Sequence, residues 1–180
     1  FKEAVDLKNS GAMNNLAICY KNGDGVEKNI SKAIELFKEA VDLKNSQAMT
    51  NLAICYKNGD GVEKNISKAI ELYKEAVDLK NSGAMTNLAI CYENGDGVEK
   101  NISKAIELFK EAVDLKDPIA MFYLGSCYEY GDGVEENFSK AVEYYQKSVE
   151  IDPSFCKEKL CSLLSNGKII NATLFKYLNC

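Results

Sequence analysis

Asn15-Leu16-Ala17-Ile18-Cys19-Tyr20 recurs unchanged from Asn51 and again from Asn87, a step of 36 residues each time. A fourth, looser copy starts at Tyr123, another 36 residues on. A period of this length is typical of a stack of supersecondary units, each of which buries its apolar faces on its neighbours. Such stacks offer an extended surface, which favours a function in binding other proteins.

The first half of each unit is predicted to be a helix, which we call helix A. In the second unit it is predicted to run over about 47–57, with Asn45 or Ser46 as its N-cap. The pair Asp117-Pro118 at the same place in the fourth unit is typical of a cap followed by a first helical turn. The apolar residues recur at helical spacing: Ala48, Leu52, Cys55 and Tyr56.

A glycine turn and a second helix, helix B, complete the unit. Residues 58–61 read Asn-Gly-Asp-Gly, which ends helix A because Gly readily takes the left-handed conformation of a helix stop. Asn65 then caps helix B, predicted to reach about Leu79. Its apolar residues cover more than one stripe, so helix B is expected to pack both on its own partner and on the next unit.

The unit reads Ala48-x-x-x-Leu52-x-x-x-Tyr56-x-x-Gly59-x-Gly61-Val62, then Lys68-Ala69-x-x-x-Tyr73-x-x-Ala76. This order resembles the Sel-one-like repeat (SLR) family over residues 12 to about 154. The resemblance implies an all-α fold, a right-handed α/α superhelical solenoid of 36-residue helix-turn-helix repeats related to tetratricopeptide repeats. The sequence departs from the family after helix B, where the family has Gly and this chain has Lys44, Lys80 and Lys116.

We predict one solenoid over residues 1–180. Phe1 aligns with Phe37 inside a unit, so we expect a fragment whose true N-terminus lies elsewhere. In the tail, Leu160 aligns with Leu124 and Gly167 with Gly131, which indicates a degenerate unit that closes the stack. The predicted parts are the end of a preceding repeat (1–11), four repeats (12–47, 48–83, 84–119, 120–155) and a degenerate C-terminal repeat or cap (156–180).

Composition excludes several function classes. The net charge is −5 and all 22 cationic side chains are Lys, so the guanidinium fork that reads phosphate or guanine is missing, which argues against nucleic acid. Without His there is no imidazole base and no His-containing zinc site. No apolar run approaches the ~20 residues of a membrane span. We therefore expect no enzyme activity, no cofactor, no metal, no small-molecule substrate and no membrane insertion in this segment.

Four of the seven cysteines, Cys19, Cys55, Cys91 and Cys127, share one repeat position. Equivalent helices in a stack lie about 8–10 Å apart, whereas a disulfide needs Cα atoms within about 7 Å. We expect these four to be reduced and buried, which indicates a reducing compartment and the cytoplasm. Some secreted family members carry a disulfide in each unit, but the matching positions here are Val41 and Ala48.

One pattern points to a different compartment. Five Asn-x-Ser/Thr motifs match the N-glycosylation pattern, which leaves the endoplasmic-reticulum lumen as the less favoured alternative. Asn at a helix N-cap explains the repeated motifs without sugar. The motifs begin at Asn29, Asn65, Asn101, Asn137 and Asn171. The absence of Arg beside abundant Asn, Lys and Ile indicates an AT-rich genome, such as that of a protist.

Differences between the near-identical units indicate where a partner binds. Relative to Leu52 they fall at positions −5, −2 and +5 of helix A, on one face that also carries Ile54. In tetratricopeptide-like solenoids this face lines the concave groove. Drift at exposed positions explains the same differences without function. The predicted partner-binding residues are Asn14, Ile18, Lys21, Gln47, Thr50, Ile54, Lys57, Thr86, Ile90, Glu93, Phe122, Ser126 and Glu129.

The leading function is therefore a non-catalytic scaffold or adaptor that holds a partner protein in this groove. One alternative is the targeting arm of a larger enzyme, for example a kinase, whose catalytic domain lies outside the fragment. Another is a permanent structural subunit of a large assembly. Position +5 changes from Lys21 and Lys57 to Glu93 and Glu129, so we expect a groove that is basic at one end and acidic at the other.

Overall fold

The computed structural model describes residues 9–165, apart from the side chains of Phe155 and Leu164. All regular secondary structure in this range is helical, which confirms the predicted all-α fold; the handedness of the superhelix stays a prediction. The nine described helices are α1 Ser10–Asn22, α2 Ile30–Asp42, α3 Ser46–Asn58, α4 Ile66–Asp78, α5 Ser82–Asn94, α6 Ile102–Asp114, α7 Pro118–Tyr130, α8 Phe138–Ile151 and α9 Pro153–Ser165.

Local sequence accounts for the helix ends. The Asn45 side chain accepts a hydrogen bond from the Ala48 N–H at 2.9 Å and starts α3. Gly59 ends α3 with φ 85° and donates its N–H to the Cys55 carbonyl at 2.8 Å. The bounds predicted for helix A are confirmed to within one residue.

The repeated Asn-x-Ser motifs are helix caps, as predicted. Asn29, Asn65, Asn101 and Asn137 each accept a hydrogen bond from a backbone N–H three residues on, at 2.9–3.0 Å. Each one starts a helix B. The fifth motif, at Asn171, lies outside the described residues.

The chain divides into two compact units, Phe1–Lys100 and Asn101–Cys180. In the first unit α1 packs on α2, α2 on α3, α3 on α4, and α4 on α5. Phe37 of α2 and Tyr73 of α4 are fully buried, because each helix B lies between the helix A before it and the helix A after it. This is the two-sided burial that the helix B pattern predicts.

In the second unit α7 packs on α6 and α8, and α9 packs on both α8 and α7. The Phe109 and Tyr123 rings stack with centroids 5.3 Å apart. Leu160 of α9 is buried, as its alignment with Leu124 predicts, whereas Gly167 lies outside the described residues. The core joining α8 and α9 consists of Ala141, Tyr145, Val149, Cys156, Leu160 and Leu163.

In the second and third repeats, the second glycine of the turn is required by a close approach between repeats. Gly61 has φ 71°, and a Cβ there would lie 2.6 Å from Ile30 Cγ1 of the preceding repeat. Gly97 stands against Ile66 in the same way. Gly25 has a similar φ of 69°, but no atom of residues 9–165 lies within 4 Å of the place its Cβ would take.

Lysine occupies a left-handed position between repeats, where the family has Gly. Lys44, Lys80 and Lys116 have φ of 59°, 59° and 61°. A non-glycine residue in this conformation costs about 1 kcal/mol. Lys44 Nζ lies 3.7 Å from Glu75 Oε2 of the next repeat, with both side chains exposed, so this weak pair offsets little of that strain.

The helix A thiols are buried in three of four copies. Cys55, Cys91 and Cys127 are buried as predicted, whereas Cys19 is half-buried. Burial raises the pKa of the Cys55 thiol, and Lys21 of the preceding repeat, which contacts it, partly opposes that rise. Cys161, in α9, is disulfide-bonded.

Candidate protein-interaction surface

Each helix A of the first unit leaves one side uncovered. In α1, Asn15, Ile18 and Asn22 are exposed or half-buried and are spaced three and four residues apart, so they share a side of the helix. The helices α3 and α5 repeat this arrangement. We call this surface the helix A stripe and define it as Asn15, Ile18, Gln47, Asn51, Ile54, Gly83, Asn87 and Ile90.

Four residues predicted from sequence lie on the helix A stripe. Gln47 is exposed, while Ile18, Ile54 and Ile90 are half-buried. In the second unit, Ser126 and Phe122 of α7 are half-buried. The Phe122 ring packs on the core, with its centroid 5.6 Å from that of Tyr145.

Three of the four residues predicted at position −2 are buried, all but Phe122, so the expectation that these three line an open face is wrong. Asn14, Thr50 and Thr86 are 4%, 7% and 2% exposed. Thr50 Oγ1 lies 2.9 Å from the Ser46 carbonyl and 3.1 Å from Asn81 Oδ1, the N-cap of α5. This position joins consecutive A helices instead of meeting solvent.

The sequence reasoning missed the asparagine at position −1. Asn51 Nδ2 donates to Asn14 Oδ1 at 2.9 Å, and Asn87 Nδ2 donates to the Gly83 carbonyl at 2.7 Å. Among the described residues, nothing donates to the Oδ1 of Asn51 or Asn87. The sequence does carry a signal for it: the same polar residue precedes the core Leu in three copies. A comparison of the differences between copies does not detect a residue that is identical in all three.

Lys21 and Lys57, predicted as a basic end of the groove, are half-buried in ion pairs with the next repeat. Lys21 Nζ lies 3.9 Å from Asp60 Oδ2, and Lys57 Nζ lies 3.8 Å from Asp96 Oδ2. Both distances exceed the 2.7–2.9 Å or so of a charge-assisted hydrogen bond. Each lysine therefore lies at the end of its helix A and is held there by a weak ion pair.

Beside each of these pairs lies an open cleft. The first has a volume of about 610 Å³ and the second about 490 Å³. They are equivalent surfaces one repeat apart, since each lies between the end of one helix A and the glycine turn of the next repeat. The lining residues are Lys21, Asn22, Lys28, Ile30, Gly59, Asp60 and Gly61 in the first, and Lys57, Asn58, Lys64, Ile66, Gly95, Asp96 and Gly97 in the second.

Glu129, predicted as an acidic end of the groove, is half-buried, and its side chain, 7% exposed, lies in a polar cluster within the second unit. Tyr145 Oη donates to Glu129 Oε2 at 2.6 Å, and Lys159 Nζ of α9 lies 2.9 Å from the same oxygen. Burial raises the pKa of Glu129, but the hydrogen bonds from Tyr145 and Lys159 outweigh it, so the pKa is lowered. The expectation of a free acidic group is therefore wrong. Glu93 is half-buried.

Two features of residues 9–165 bear on other kinds of site. None of the helices there is long and apolar enough to cross a lipid bilayer. Acidic and cysteine side chains in that range form no group of three or more that could hold a metal ion.

Solved structures with the same fold include bacterial repeat proteins. A Sel1 repeat protein from Oxalobacter formigenes matches with a TM-score of 0.80 and 27% identity, covering 89% of this chain and 66% of that one. A protective antigen of uropathogenic Escherichia coli with an SLR fold matches at 0.77 and 26%, covering 92% and 36%. An immunity protein from Pseudomonas aeruginosa matches at 0.65 and 32%, covering 82% and 55%.

The chain thus spans less than two thirds of each of these three proteins. No curated protein matches its sequence. A profile of the Sel1 repeat matches four times, at residues 10–45, 46–81, 82–117 and 118–151. These matches take in most of the sequence and all four helix pairs, and the chain therefore belongs to the Sel1 repeat family.

Proposed function

We propose that this chain is a non-catalytic scaffold that holds an extended segment of a partner protein along the helix A stripe. Sel1 repeat proteins are generally protein-interaction scaffolds. The observation that carries the proposal is an Asn–Ile pair, partly or fully exposed, which recurs in three consecutive A helices of the first unit. Because the two residues are the same in all three helices, a partner would meet the same pair of side chains at regular intervals.

The chemistry of the stripe suits an extended backbone. Internal hydrogen bonds from Nδ2 hold the amide groups of Asn51 and Asn87 in place, and among the described residues their Oδ1 atoms accept no hydrogen bond. Fixed amide oxygens can accept from the N–H groups of a bound segment without a further loss of side-chain entropy. Ile18, Ile54 and Ile90 supply partly exposed apolar surface for its side chains.

The test uses a peptide selected for binding. A phage-displayed random library is selected against the wild-type chain, and the affinity of the best peptide is measured by fluorescence anisotropy. We expect the triple variant Ile18→Asp/Ile54→Asp/Ile90→Asp to lose at least about tenfold in affinity, because apolar contacts at an interface centre carry most of the binding energy. Its circular dichroism should match that of the wild type.

A matched control adds the same three charges elsewhere. Leu43, Leu79 and Leu115 are 43%, 47% and 47% exposed, share a 36-residue spacing, and lie after the B helices. The variant Leu43→Asp/Leu79→Asp/Leu115→Asp should bind the peptide within twofold of wild type. Equal affinity of wild type and the Ile variant, or a loss confined to the Leu variant, refutes the stripe as the binding surface.

Two finer uses of the stripe stay proposals. The first is the targeting arm of an enzyme, which requires that the chain be part of a longer protein. The chain spans only 36% of the Escherichia coli antigen, a longer relative with the same fold. A permanent structural subunit is the other use. Sequencing the full open reading frame tests the first, and sedimentation of the isolated chain tests the second, which predicts insolubility without its assembly.

A cytoplasmic location also stays a proposal. Buried thiols at Cys55 and Cys91 support it, whereas the disulfide of Cys161 favours an oxidising compartment. The exposed caps Asn29 and Asn65 provide the test, because passage through the endoplasmic reticulum would make their motifs available for glycosylation. We expect no change in electrophoretic mobility when protein isolated from its own organism is treated with peptide N-glycosidase. A change would show that the protein passes through the secretory pathway.

A further inference from the structure

The two clefts beside the helix A stripe repeat one arrangement of charge. Each combines a lysine at the end of helix A, a second lysine in the turn, and one aspartate from the next repeat. In the first cleft these are Lys21, Lys28 and Asp60. The excess of positive charge is notable because the whole chain has a net charge of −5.

The charge is only partly neutralised. The lysine–aspartate pairs are loose, at 3.9 and 3.8 Å, and the second lysines, Lys28 and Lys64, are exposed. Within residues 9–165, no carboxylate lies within ion-pair distance of Lys28 or Lys64. The nearby carboxylate of Asp24 accepts instead from Asn22 Nδ2 at 3.0 Å. Each cleft thus keeps a cation that an external anion can reach.

The shape of the cleft is also set by the fold. A side chain at Gly61 would collide with Ile30, so the turn lies directly on the preceding helix B, and both residues line the first cleft. Gly97 and Ile66 make the same close approach in the lining of the second cleft.

The lysine pair is confined to the first two repeats. At the positions of Lys21 and Lys28, the third repeat has Glu93 and Lys100, and the fourth has Glu129 and Glu136. Both positions change sign along the chain, whereas the glycine turn between them is kept. Selection on the turn alone would not require the lysines of the first two repeats.

We propose that these two clefts bind carboxylate side chains of an acidic, extended segment of the partner, one in each cleft. Equivalent helices of neighbouring repeats lie about 8–10 Å apart, and an extended segment in the polyproline II conformation, with three residues per turn and a rise of about 3.1 Å, presents residues i and i+3 on the same side about 9 Å apart. The matching segment therefore carries Glu or Asp at every third position. This inference rests on the proposed function and adds a charge requirement to it.

The probe is a fluorescein-labelled Ser-Gly peptide with Glu at every third position. Its affinity is compared at low salt with that of peptides carrying Gln or Lys at the same positions, and with a peptide whose Glu residues are contiguous. We expect the spaced Glu peptide to bind most tightly. Its affinity should fall with rising salt, since the contacts are exposed ion pairs.

The decisive variant is Lys28→Gln/Lys64→Gln, and its matched control is Lys38→Gln/Lys74→Gln, exposed lysines of helix B at the same spacing. We expect the cleft variant to bind the spaced Glu peptide about three- to tenfold more weakly and the control to stay within twofold. Circular dichroism checks that both remain folded.

Several results would overturn the inference. Equal losses in both variants would reduce it to an effect of net charge. Equal binding of the Glu and Gln peptides would remove the carboxylate. Displacement of the peptide by inorganic phosphate at matched ionic strength, or tighter binding of a single-stranded oligonucleotide, would make the clefts general anion or nucleic-acid sites.

Failure of the inference can be told from failure of the proposed function. If the library-selected peptide is lost by the Ile18→Asp/Ile54→Asp/Ile90→Asp variant and kept by Lys28→Gln/Lys64→Gln, the stripe stands and the clefts fall. If the Ile variant keeps that peptide, the proposed function itself fails, whatever the clefts bind.

Discussion

At the scale of single residues, the repeat lets one copy serve as the control for another. Tyr73 is fully buried and its hydroxyl has no hydrogen-bond partner among the described residues, whereas the equivalent positions hold Phe37 and Phe109. Burial raises the pKa of Tyr73, with smaller contributions from Cys91 and Cys55, so the hydroxyl stays neutral. A buried, unpaired hydroxyl lowers stability.

We therefore expect Tyr73→Phe to raise the free energy of unfolding by about 1 kcal/mol. The reverse change, Phe37→Tyr, should lower it by a similar amount, because it buries a second unpaired hydroxyl. Urea unfolding followed by circular dichroism measures both. A loss of stability in Tyr73→Phe would show that the hydroxyl makes a favourable contact.

Thiol reactivity should also differ between copies. Cys19 is half-buried, whereas Cys55 and Cys91 are 0% and 1% exposed and burial raises the pKa of both. Under native conditions we expect a thiol reagent to label Cys19 well before the other two, because the thiolate is the reactive form. Mass spectrometry of digested, labelled protein gives the order. Labelling of Cys55 at the rate of Cys19 would contradict the packing of α3.

The half-buried Glu129 of the second unit gives a pH-dependent prediction. Lys159→Met removes the cation that lies 2.9 Å from Glu129 and should cost about 1–3 kcal/mol at neutral pH. The pKa of Glu129 is lowered from its usual 4.5, so its contribution is present above that value and is lost as pH falls through the lowered pKa.

The stability gap between wild type and Lys159→Met should thus be constant above about pH 4.5 and shrink below it. Urea unfolding across that range is the measurement, with Lys157→Met, a half-buried lysine on the same helix, as the control. A gap that persists unchanged in acid would mean that Lys159 acts through packing alone.

At the scale of elements, the turn between helices A and B is what joins one repeat to the previous one. Gly25 and Gly61 have nearly the same φ, yet of the two only Gly61 lies against a neighbour within the described part of the chain, Ile30. Gly25→Ala should cost about 1–2 kcal/mol for the left-handed backbone. Gly61→Ala should cost at least about 1 kcal/mol more, because its Cβ overlaps the isoleucine. Equal costs in thermal or urea unfolding would show that the repeats separate there without loss.

Helix boundaries could be predicted from sequence because their causes are local. Asn45 and Gly59 each act on backbone groups within four residues, so the pattern that caps or ends α3 is visible in one short stretch. Helix A of the second repeat was accordingly predicted to within one residue.

Side-chain environment could not be predicted as well, because its causes are distant in sequence. Thr50 is covered by Asn81, and Lys21 is paired with Asp60. A helical face derived from spacing alone does not tell solvent from the next helix A. The prediction for Glu129 is wrong for the same reason, since its partner Lys159 belongs to α9, beyond the regular repeats.

At the scale of the whole molecule, stability should depend on the number of repeats, since each repeat contacts its neighbours. Deleting residues 48–83 would bring Gly97 against Ile30 in place of Ile66, a contact with the same chemistry. We expect the shortened chain to keep its helicity per residue and to unfold at lower urea. Complete loss of helical circular dichroism would contradict a stack built from independent junctions.

The sameness of those junctions also has a consequence for inheritance. The contact of Gly61 with Ile30 is repeated by that of Gly97 with Ile66. The ion pair of Lys21 with Asp60 is likewise repeated by that of Lys57 with Asp96. Unequal recombination between such near-identical stretches of a gene adds or removes a whole copy in frame. Every new copy arrives already fitted to both neighbours, and it brings its own cleft. The number of repeats in this protein can therefore change by one at a time during evolution, without a compensating mutation elsewhere in the chain.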